Sequence, residues 1–87
     1  SPATAIVTVA LEELGVLNWA TWECEPSTFE WFYDQKETGY ILEGDVRVTW
    51  GDGESVEFGA GDLVVFPAGL GCVWEVRSAV RKHYKFE

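Results

Sequence analysis

Turn-forming residues recur at short, even intervals along this 87-residue chain, and that spacing is compatible with few folds. Gly51-Asp52-Gly53 predicts a tight hairpin, because both central residues of an Asp-Gly turn can adopt positive φ. Gly44 is predicted to end one strand, and turns at 59–62 and 67–69 bound the apolar run 63–66. Strands separated in this way are typical of a β-sandwich or barrel rather than an α/β fold.

Between the turns, apolar and polar residues alternate with a period of two, as in Val46, Val48 and Trp50. Helical periodicity is confined to one turn over 11–14, closed by Gly15. The unpaired edge of an open sheet can pair with other chains, so we expect a short chain with many strands to close its sheet on itself. We therefore predict an all-β jelly roll or small barrel, a single domain over residues 1–87. It has about eight strands, centred near Val7, Thr21, Phe32, Ile41, Val48, Val56, Val64 and Trp74, with a last one over Val80 to Phe86.

The core of so small a domain must be dense, since a chain of this length buries only roughly 60% of its unfolded surface. Five Trp, five Phe and three Tyr supply that density. This aromatic content excludes a disordered chain, which cannot offset its conformational entropy by burial.

Charge and hydropathy exclude two classes of partner. With 15 Asp and Glu against six Lys and Arg, the formal net charge is −9, so nucleic acid is not an expected partner. We interpret the basic residues near the C-terminus as balancing charge rather than binding an anion: Arg77, Arg81, Lys82 and Lys85. No membrane partner is expected, because no run approaches the roughly 18 apolar residues of a span.

Cys24 and Cys72 are too few for a disulfide scaffold and have no CxxC spacing. We expect both to be reduced thiols in an intracellular protein. Because the chain begins at Ser1 and carries no signal-peptide pattern, the expected compartment is the cytosol, or an organelle after removal of a targeting segment.

Two stretches resemble the two motifs of the cupin superfamily. Gly61, Pro67 and Gly69 have the glycine and proline spacing of the second motif, but Cys72 stands where metal-binding cupins have a histidine. The segment 37–44 is similar to the second half of the first motif, with Glu37 at the position of the glutamate ligand. The two histidine positions of that motif fall on Trp31 and Tyr33.

The resemblance implies a cupin jelly roll, also called a double-stranded β-helix barrel. Segments 31–34, 40–44 and 80–84 further resemble the small cupins classed with the (S)-ureidoglycine aminohydrolase cupin domain. That group is often dimeric, so a homodimer is an expected partner. The named aminohydrolase is a manganese-dependent enzyme, but only Glu37 matches a ligand here. We therefore expect no cofactor and disfavour a bound metal.

The resemblance also places a candidate site inside the barrel, where alternate residues of facing strands project inward. Trp31 and Tyr33 share one face, Cys72 and Trp74 share another, and these faces are expected to meet over Glu37. The predicted site is an aromatic-walled cavity with one carboxylate and one thiol, the thiol of Cys72 being inert rather than nucleophilic.

Three functions fit this pattern. The cavity binds a small organic molecule without metal, and its aromatic walls and carboxylate would suit a planar molecule with a cationic or amide-bearing group. Alternatively, the protein is a hydrolytic or isomerising enzyme in which Glu37 is a catalytic acid or base, with or without a metal. As a third interpretation, the aromatic residues fill the core and the protein is a structural or regulatory dimer. His83 is assigned to the surface or a subunit contact.

Overall fold

The computed structural model describes residues 4–6 and 15–87, and β-strands dominate these ranges. The strands are β1 Thr4–Ile6, β2 Ala20–Cys24, β3 Ser27–Phe32, β4 Glu37–Trp50, β5 Glu54–Gly59, β6 Leu63–Phe66 and β7 Gly71–Phe86. A single 3₁₀ turn, Val16–Asn18, precedes β2. The prediction of an all-β chain with at most one short helical turn near its N-terminus is confirmed. The predicted turn over 11–14 and the strand centre at Val7 lie outside the described residues.

Two long antiparallel strands, β4 and β7, organise the sheet. The first half of β7 pairs with β3 and its second half pairs with β2. Likewise, the first half of β4 pairs with β6 and its second half with β5, while β1 adds to the far side of β6. Because each long strand changes partner along its length, the sheet folds over on itself around one aromatic-rich core.

Gly44 does not end a strand, as the sequence had suggested; it lies inside β4. The β4 and β7 registers shift between Ile41 and Val46, which marks a β-bulge. Gly44 has a φ of 121°, and a Cβ there would lie 2.7 Å from Cα of Val80. The chain therefore bends at Gly44 without losing its pairing, so strands predicted at Ile41 and Val48 are one strand. The strands predicted at Trp74 and over 80–86 merge in the same way as β7.

The β4–β5 hairpin differs from its prediction in detail. Trp50 pairs with Glu54, so residues 51–53 form a three-residue loop. Positive φ falls on Gly51 and Gly53, at 56° and 94°, and not on Asp52. Within the part of the chain described, no helix is long and apolar enough to cross a membrane.

Candidate functional site

The centre of the candidate site is an ion pair inside the barrel between Glu37 and Lys82. Glu37 is the first residue of β4, and Lys82 lies on β7 opposite Ile41. Residues 37 and 41 are separated by an even number of positions, so both side chains project from the same face of the sheet. The Lys82 Nζ lies 2.5 Å from Oε2 of Glu37, and the two residues are only 5% and 4% exposed. A buried charge requires such a partner, because desolvation of an unpaired ion is costly.

Gly39 leaves room for this pair. It lies between Glu37 and Ile41 on the inner face of β4 and is itself buried. A Cβ at Gly39 would lie 3.6 Å from Cδ of Lys82 and 3.9 Å from Oε2 of Glu37. The aliphatic stem of Lys82 therefore passes over Gly39, and a side chain larger than that of alanine at this position would meet it.

Aromatic rings surround the Lys82 ammonium. Its Nζ lies 4.8 Å from the ring centroid of Trp74, 5.0 Å from that of Trp22 and 5.7 Å from that of Tyr84. These distances are within the range of cation–π attraction, which is strongest where water is excluded. Burial lowers the pKa of Lys82, and the charge and hydrogen bond of Glu37 oppose that shift. The ammonium is thus held by a carboxylate and by ring faces rather than by water.

Tyr33 provides a neutral hydroxyl beside the pair. It accepts a hydrogen bond from Nε1 of Trp74 at 3.1 Å, and its ring stacks on Phe66 with centroids 4.8 Å apart. Burial strongly raises the pKa of the Tyr33 phenol, and the neighbouring Glu37 and Cys72 raise it further. The hydroxyl therefore stays protonated at neutral pH and retains a proton to donate.

These side chains line a cavity of ≈ 230 Å³. Trp31, at 50% exposed, and Phe86, at 48% exposed, mark its mouth, whereas Glu37, Lys82 and Trp74 lie at its buried end. Of the described residues on its wall, Glu37 and Lys82 alone carry charge. The lining residues are Trp22, Phe29, Trp31, Tyr33, Glu37, Trp74, Lys82, Tyr84 and Phe86.

The structure brings four of the five sequence-predicted site residues onto this wall: Trp31, Tyr33, Glu37 and Trp74. Cys72 is close by but is not among the lining residues. It pairs with Trp31 across β3 and β7, and its thiol donates to the Trp31 carbonyl oxygen at 3.6 Å. Burial raises the pKa of the Cys72 thiol, and the charge of Glu37 adds to the shift. A buried, protonated thiol is a poor nucleophile.

Lys82 is the site residue that the sequence-based interpretation missed. The sequence predicts the same charge-balancing role for Lys82 as for Arg77, Arg81 and Lys85, but those three pair with carboxylates at the surface while Lys82 is buried. The alternation of inward and outward residues on β7 could have predicted the burial of Lys82, because Lys82 lies two residues after the buried Val80 and therefore faces inward.

The remaining missed wall residues are all aromatic: Trp22, Phe29, Tyr84 and Phe86. They come from β2, β3 and the end of β7, so only the fold could bring them together. His83, next to Lys82, projects from the opposite face of β7 and is half-buried, with Nδ1 lying 3.3 Å from the carbonyl oxygen of Trp19.

The donor atoms do not fit the metal site of the cupin resemblance. Trp31 and Tyr33 occupy two ligand positions, and the thiol of Cys72 donates to the backbone carbonyl oxygen of Trp31 and is not among the lining residues. The remaining ligand, Glu37, is neutralised by Lys82. Within residues 15–87, no three His, Cys, Asp or Glu side chains group closely enough to hold a metal ion.

Comparison with known proteins identifies similar sequences and structures. The chain matches the sequence model of the EutQ-like cupin domain over residues 11–84. Its structure is similar to that of a DUF861 family protein from Thermotoga maritima, with a TM-score of 0.95 and 47% identity. That match covers 98% of this chain and 99% of the Thermotoga chain. Among curated proteins, none matches the sequence significantly.

Two longer proteins contain a similar domain. A protein described as ethanolamine utilization protein Q, from Salmonella typhimurium, has a TM-score of 0.68 and 27% identity. The EutQ protein of Clostridium difficile has a TM-score of 0.70 and 23% identity, which shows a common fold alone. Both matches cover 97% of this chain and 66% of the longer protein.

Proposed function

This chain belongs to the family of EutQ-like cupin domains, and from that premise we propose that its barrel binds a small, planar, uncharged organic molecule without a metal ion. Membership confirms the predicted cupin jelly roll. Cupin ligands are expected inside the barrel, where the inward side chains of facing strands converge. The aromatic cavity around Glu37 and Lys82 lies at that place.

One observation carries the proposal: the cavity has room for a ligand although its walls are mostly aromatic. Its volume of ≈ 230 Å³ exceeds the roughly 150 Å³ of an apolar cavity that binds benzene. Aromatic side chains that only filled the core would be packed closely together and would leave no space of ligand size between them. This cavity instead opens to solvent beside Trp31 and Phe86. A single substituted six-membered ring is the size class that fits.

The charge at the buried end selects the polar group of the ligand. Glu37 and Lys82 neutralise each other, so a charged ligand would bring an unpaired charge into the cavity. Lys82 carries three donor protons, only one of which is needed for Oε2 of Glu37, and the carboxylate has a second oxygen. A primary amide offers one acceptor and one donor side by side and therefore complements the pair. Of the two groups expected from the sequence, this favours the amide over the cation.

The finer resemblance to the (S)-ureidoglycine aminohydrolase group stays a prediction. Its manganese chemistry has no donor set here beyond Glu37, and Lys82 occupies the carboxylate. The name of the Salmonella relative suggests ethanolamine as a probe, although its cationic ammonium would compete with Lys82 for Glu37. Ethanolamine is therefore included in the panel of compounds that tests the proposal.

Isothermal titration calorimetry with benzamide, benzoate, benzamidine and ethanolamine tests the proposal. We expect benzamide to bind with 1:1 stoichiometry and at least about tenfold more tightly than the charged compounds, since each unpaired charge costs more than 1.4 kcal/mol to desolvate. Equal affinity for all four compounds, or no binding of benzamide, would overturn it.

A matched pair of variants locates the binding site. Trp31 lines the mouth of the cavity, whereas its neighbour Phe32, 61% exposed, points to the other face of β3. Trp31→Ala is expected to weaken benzamide binding by roughly threefold to tenfold, as one lost aromatic contact costs about 0.5–1.5 kcal/mol. Phe32→Ala is expected to leave the affinity unchanged, so equal effects of the two substitutions would place the ligand elsewhere.

A further inference from the structure

We propose that Lys82 reacts with a small planar aldehyde in the cavity to form an imine, with Glu37 as the proton carrier. The inference rests on the proposed function, because the aldehyde would occupy the space assigned to the amide. Lys82 is the one amine among the described residues of the cavity wall, and its Nζ lies at the buried end against Glu37.

Desolvation makes the Lys82 ammonium easier to deprotonate, and the opposing attraction of Glu37 offsets only part of this effect. Trp22, Trp74 and Tyr84 surround Nζ with ring faces at 4.8–5.7 Å and withhold the water that would stabilise an ammonium. Burial accordingly lowers the pKa of Lys82. Lysines desolvated in apolar pockets are the ones that form Schiff bases with carbonyl substrates.

Glu37 supplies the acid–base partner at the required distance. Its Oε2, 2.5 Å from Nζ, is within direct proton-transfer reach. Transfer of one proton from Lys82 to Glu37 leaves a neutral amine and a neutral carboxylic acid, so the cavity carries no net charge before or after the transfer. The reacting groups are therefore held together before the aldehyde arrives.

The step balances without an oxidant or reductant. The nitrogen lone pair of the neutral Lys82 attacks the carbonyl carbon, a C–N bond forms, and the protonated Glu37 gives its proton to the carbonyl oxygen. Glu37 then takes one proton from the positively charged nitrogen, which leaves a neutral carbinolamine and a protonated Glu37. Glu37 then protonates the hydroxyl, the C–O bond breaks, and water leaves as the C=N bond forms. Ammonium and aldehyde have become a protonated imine and one water. The imine retains the positive charge of Lys82 opposite the carboxylate of Glu37.

Trapping with benzaldehyde and sodium cyanoborohydride at neutral pH tests this inference on the unmodified protein. The reductant converts an imine to a stable benzyl amine, which peptide mapping by mass spectrometry locates. Lys36 and Lys85, which pair with Glu87 at the surface, are internal controls. We expect Lys82 to be labelled at least about tenfold faster than either control, because a bound aldehyde reacts at a high effective concentration. Excess benzamide should abolish this preference.

The outcomes separate the inference from the function on which it rests. Imine formation and ligand binding are both supported if Lys82 is labelled preferentially, if benzamide blocks this labelling, and if it is absent in Lys82→Arg. If benzamide binds by calorimetry but Lys82 is labelled no faster than Lys36 and Lys85, the imine is overturned while ligand binding stands. If benzamide does not bind and Lys82 is not preferred, both are overturned. Lys82→Arg preserves the charge beside Glu37, so loss of labelling in a folded variant reports the loss of the nucleophile.

Discussion

Nζ of Lys82 lies 2.5 Å from Oε2 of Glu37, and this contact joins the first residue of β4 to the last third of β7. In the metal-binding cupins that the sequence resembles, the corresponding glutamate is a metal ligand. Here the cation opposite the carboxylate is an ammonium that the chain itself provides. The pair and its aromatic surroundings thus form a charge-neutral end to an otherwise apolar cavity.

Removing the ammonium alone should destabilise the fold strongly. Lys82→Met preserves the packing of the aliphatic stem but leaves the Glu37 carboxylate buried without a partner. We expect a loss of about 3–5 kcal/mol in the free energy of unfolding, measured by urea denaturation at neutral pH. The double variant Lys82→Met/Glu37→Leu should recover most of the loss, since apolar residues of similar volume can replace a buried pair at little cost.

Lys36→Met is the matched control, because it breaks an ion pair with Glu87 in which both side chains are nearly half exposed. Exposed pairs contribute about 0–1 kcal/mol, so its stability should barely change. A Lys82→Met variant as stable as Lys36→Met would show that the buried charge of Glu37 needs no partner.

The bend in β4 predicts a difference between two glycine substitutions. Gly44→Ala combines an unfavourable φ of 121° with a Cβ 2.7 Å from Cα of Val80 and 3.0 Å from the carbonyl oxygen of Ala79. We expect it to lower the free energy of unfolding by about 2–4 kcal/mol. At Gly53 the φ of 94° is also unfavourable, but nothing lies within 4 Å of the added Cβ. Gly53→Ala should cost about 1 kcal/mol in the same denaturation assay. Equal losses would mean that φ alone, and not the approach of β7, requires glycine in the bulge.

Tyr33 should make stability fall in alkaline solution. Its pKa is raised in the folded state by burial and by the facing Glu37 and Cys72, whereas the unfolded chain has the ordinary phenol value of about 10. Above that pH the unfolded state has lost a proton that the folded state retains, so the free energy of unfolding decreases as pH rises. The contribution of Tyr33 to the free energy of unfolding is fully present below pH ~10. Above that pH it decreases by at most about 1.4 kcal/mol per pH unit.

Tyr33→Phe should remove this contribution to the slope. The substitution also leaves the buried Nε1 of Trp74 without its acceptor, which costs about 1–3 kcal/mol at every pH. The slopes of stability against pH, from urea denaturation between about pH 9 and about 11.5, are therefore compared rather than the absolute values. Parallel slopes for the two proteins would contradict the burial of the phenol.

Cys72 should be dispensable for ligand binding. Its thiol donates to the carbonyl oxygen of Trp31 and is not among the residues that line the cavity. We expect Cys72→Ala to bind benzamide within about twofold of the unmodified protein, which corresponds to less than 0.5 kcal/mol, while losing about 1 kcal/mol of stability from the buried sulfur. A much larger loss of affinity, measured by calorimetry on the folded variant, would show that the Cys72 thiol takes part in ligand binding.

Local sequence rules predicted the strands and turns because each depends on neighbouring residues. Alternation located the strand around Val48, and glycine with proline located the turn at 67–69. The continuity of β4 through Gly44 was not predictable in the same way, because it depends on the close approach of Val80 from β7. Only the three-dimensional pairing reveals that contact.

The candidate site also contains residues that local sequence rules could predict and one that depends on strand pairing. Trp31, Tyr33 and Glu37 could be placed by motif spacing and by alternation along one stretch of chain. Lys82 lies 45 positions from Glu37, and a lysine among other basic residues is usually at the surface. Its inward orientation follows from the alternation of β7, but its partner follows from the register of β4 against β7.

The five tryptophans allow a direct measurement of whether the cavity is the ligand site. Trp22, Trp31 and Trp74 line it, whereas Trp19 packs against Lys85 and Trp50 donates its indole proton to Glu54. In a ¹⁵N-edited NMR titration with benzamide, we predict that the indole signals of Trp22, Trp31 and Trp74 shift and saturate together while those of Trp19 and Trp50 stay in place. Unchanged signals for the three cavity tryptophans at saturating benzamide, or shifts confined to Trp19 and Trp50, would contradict ligand binding at the Glu37–Lys82 pair.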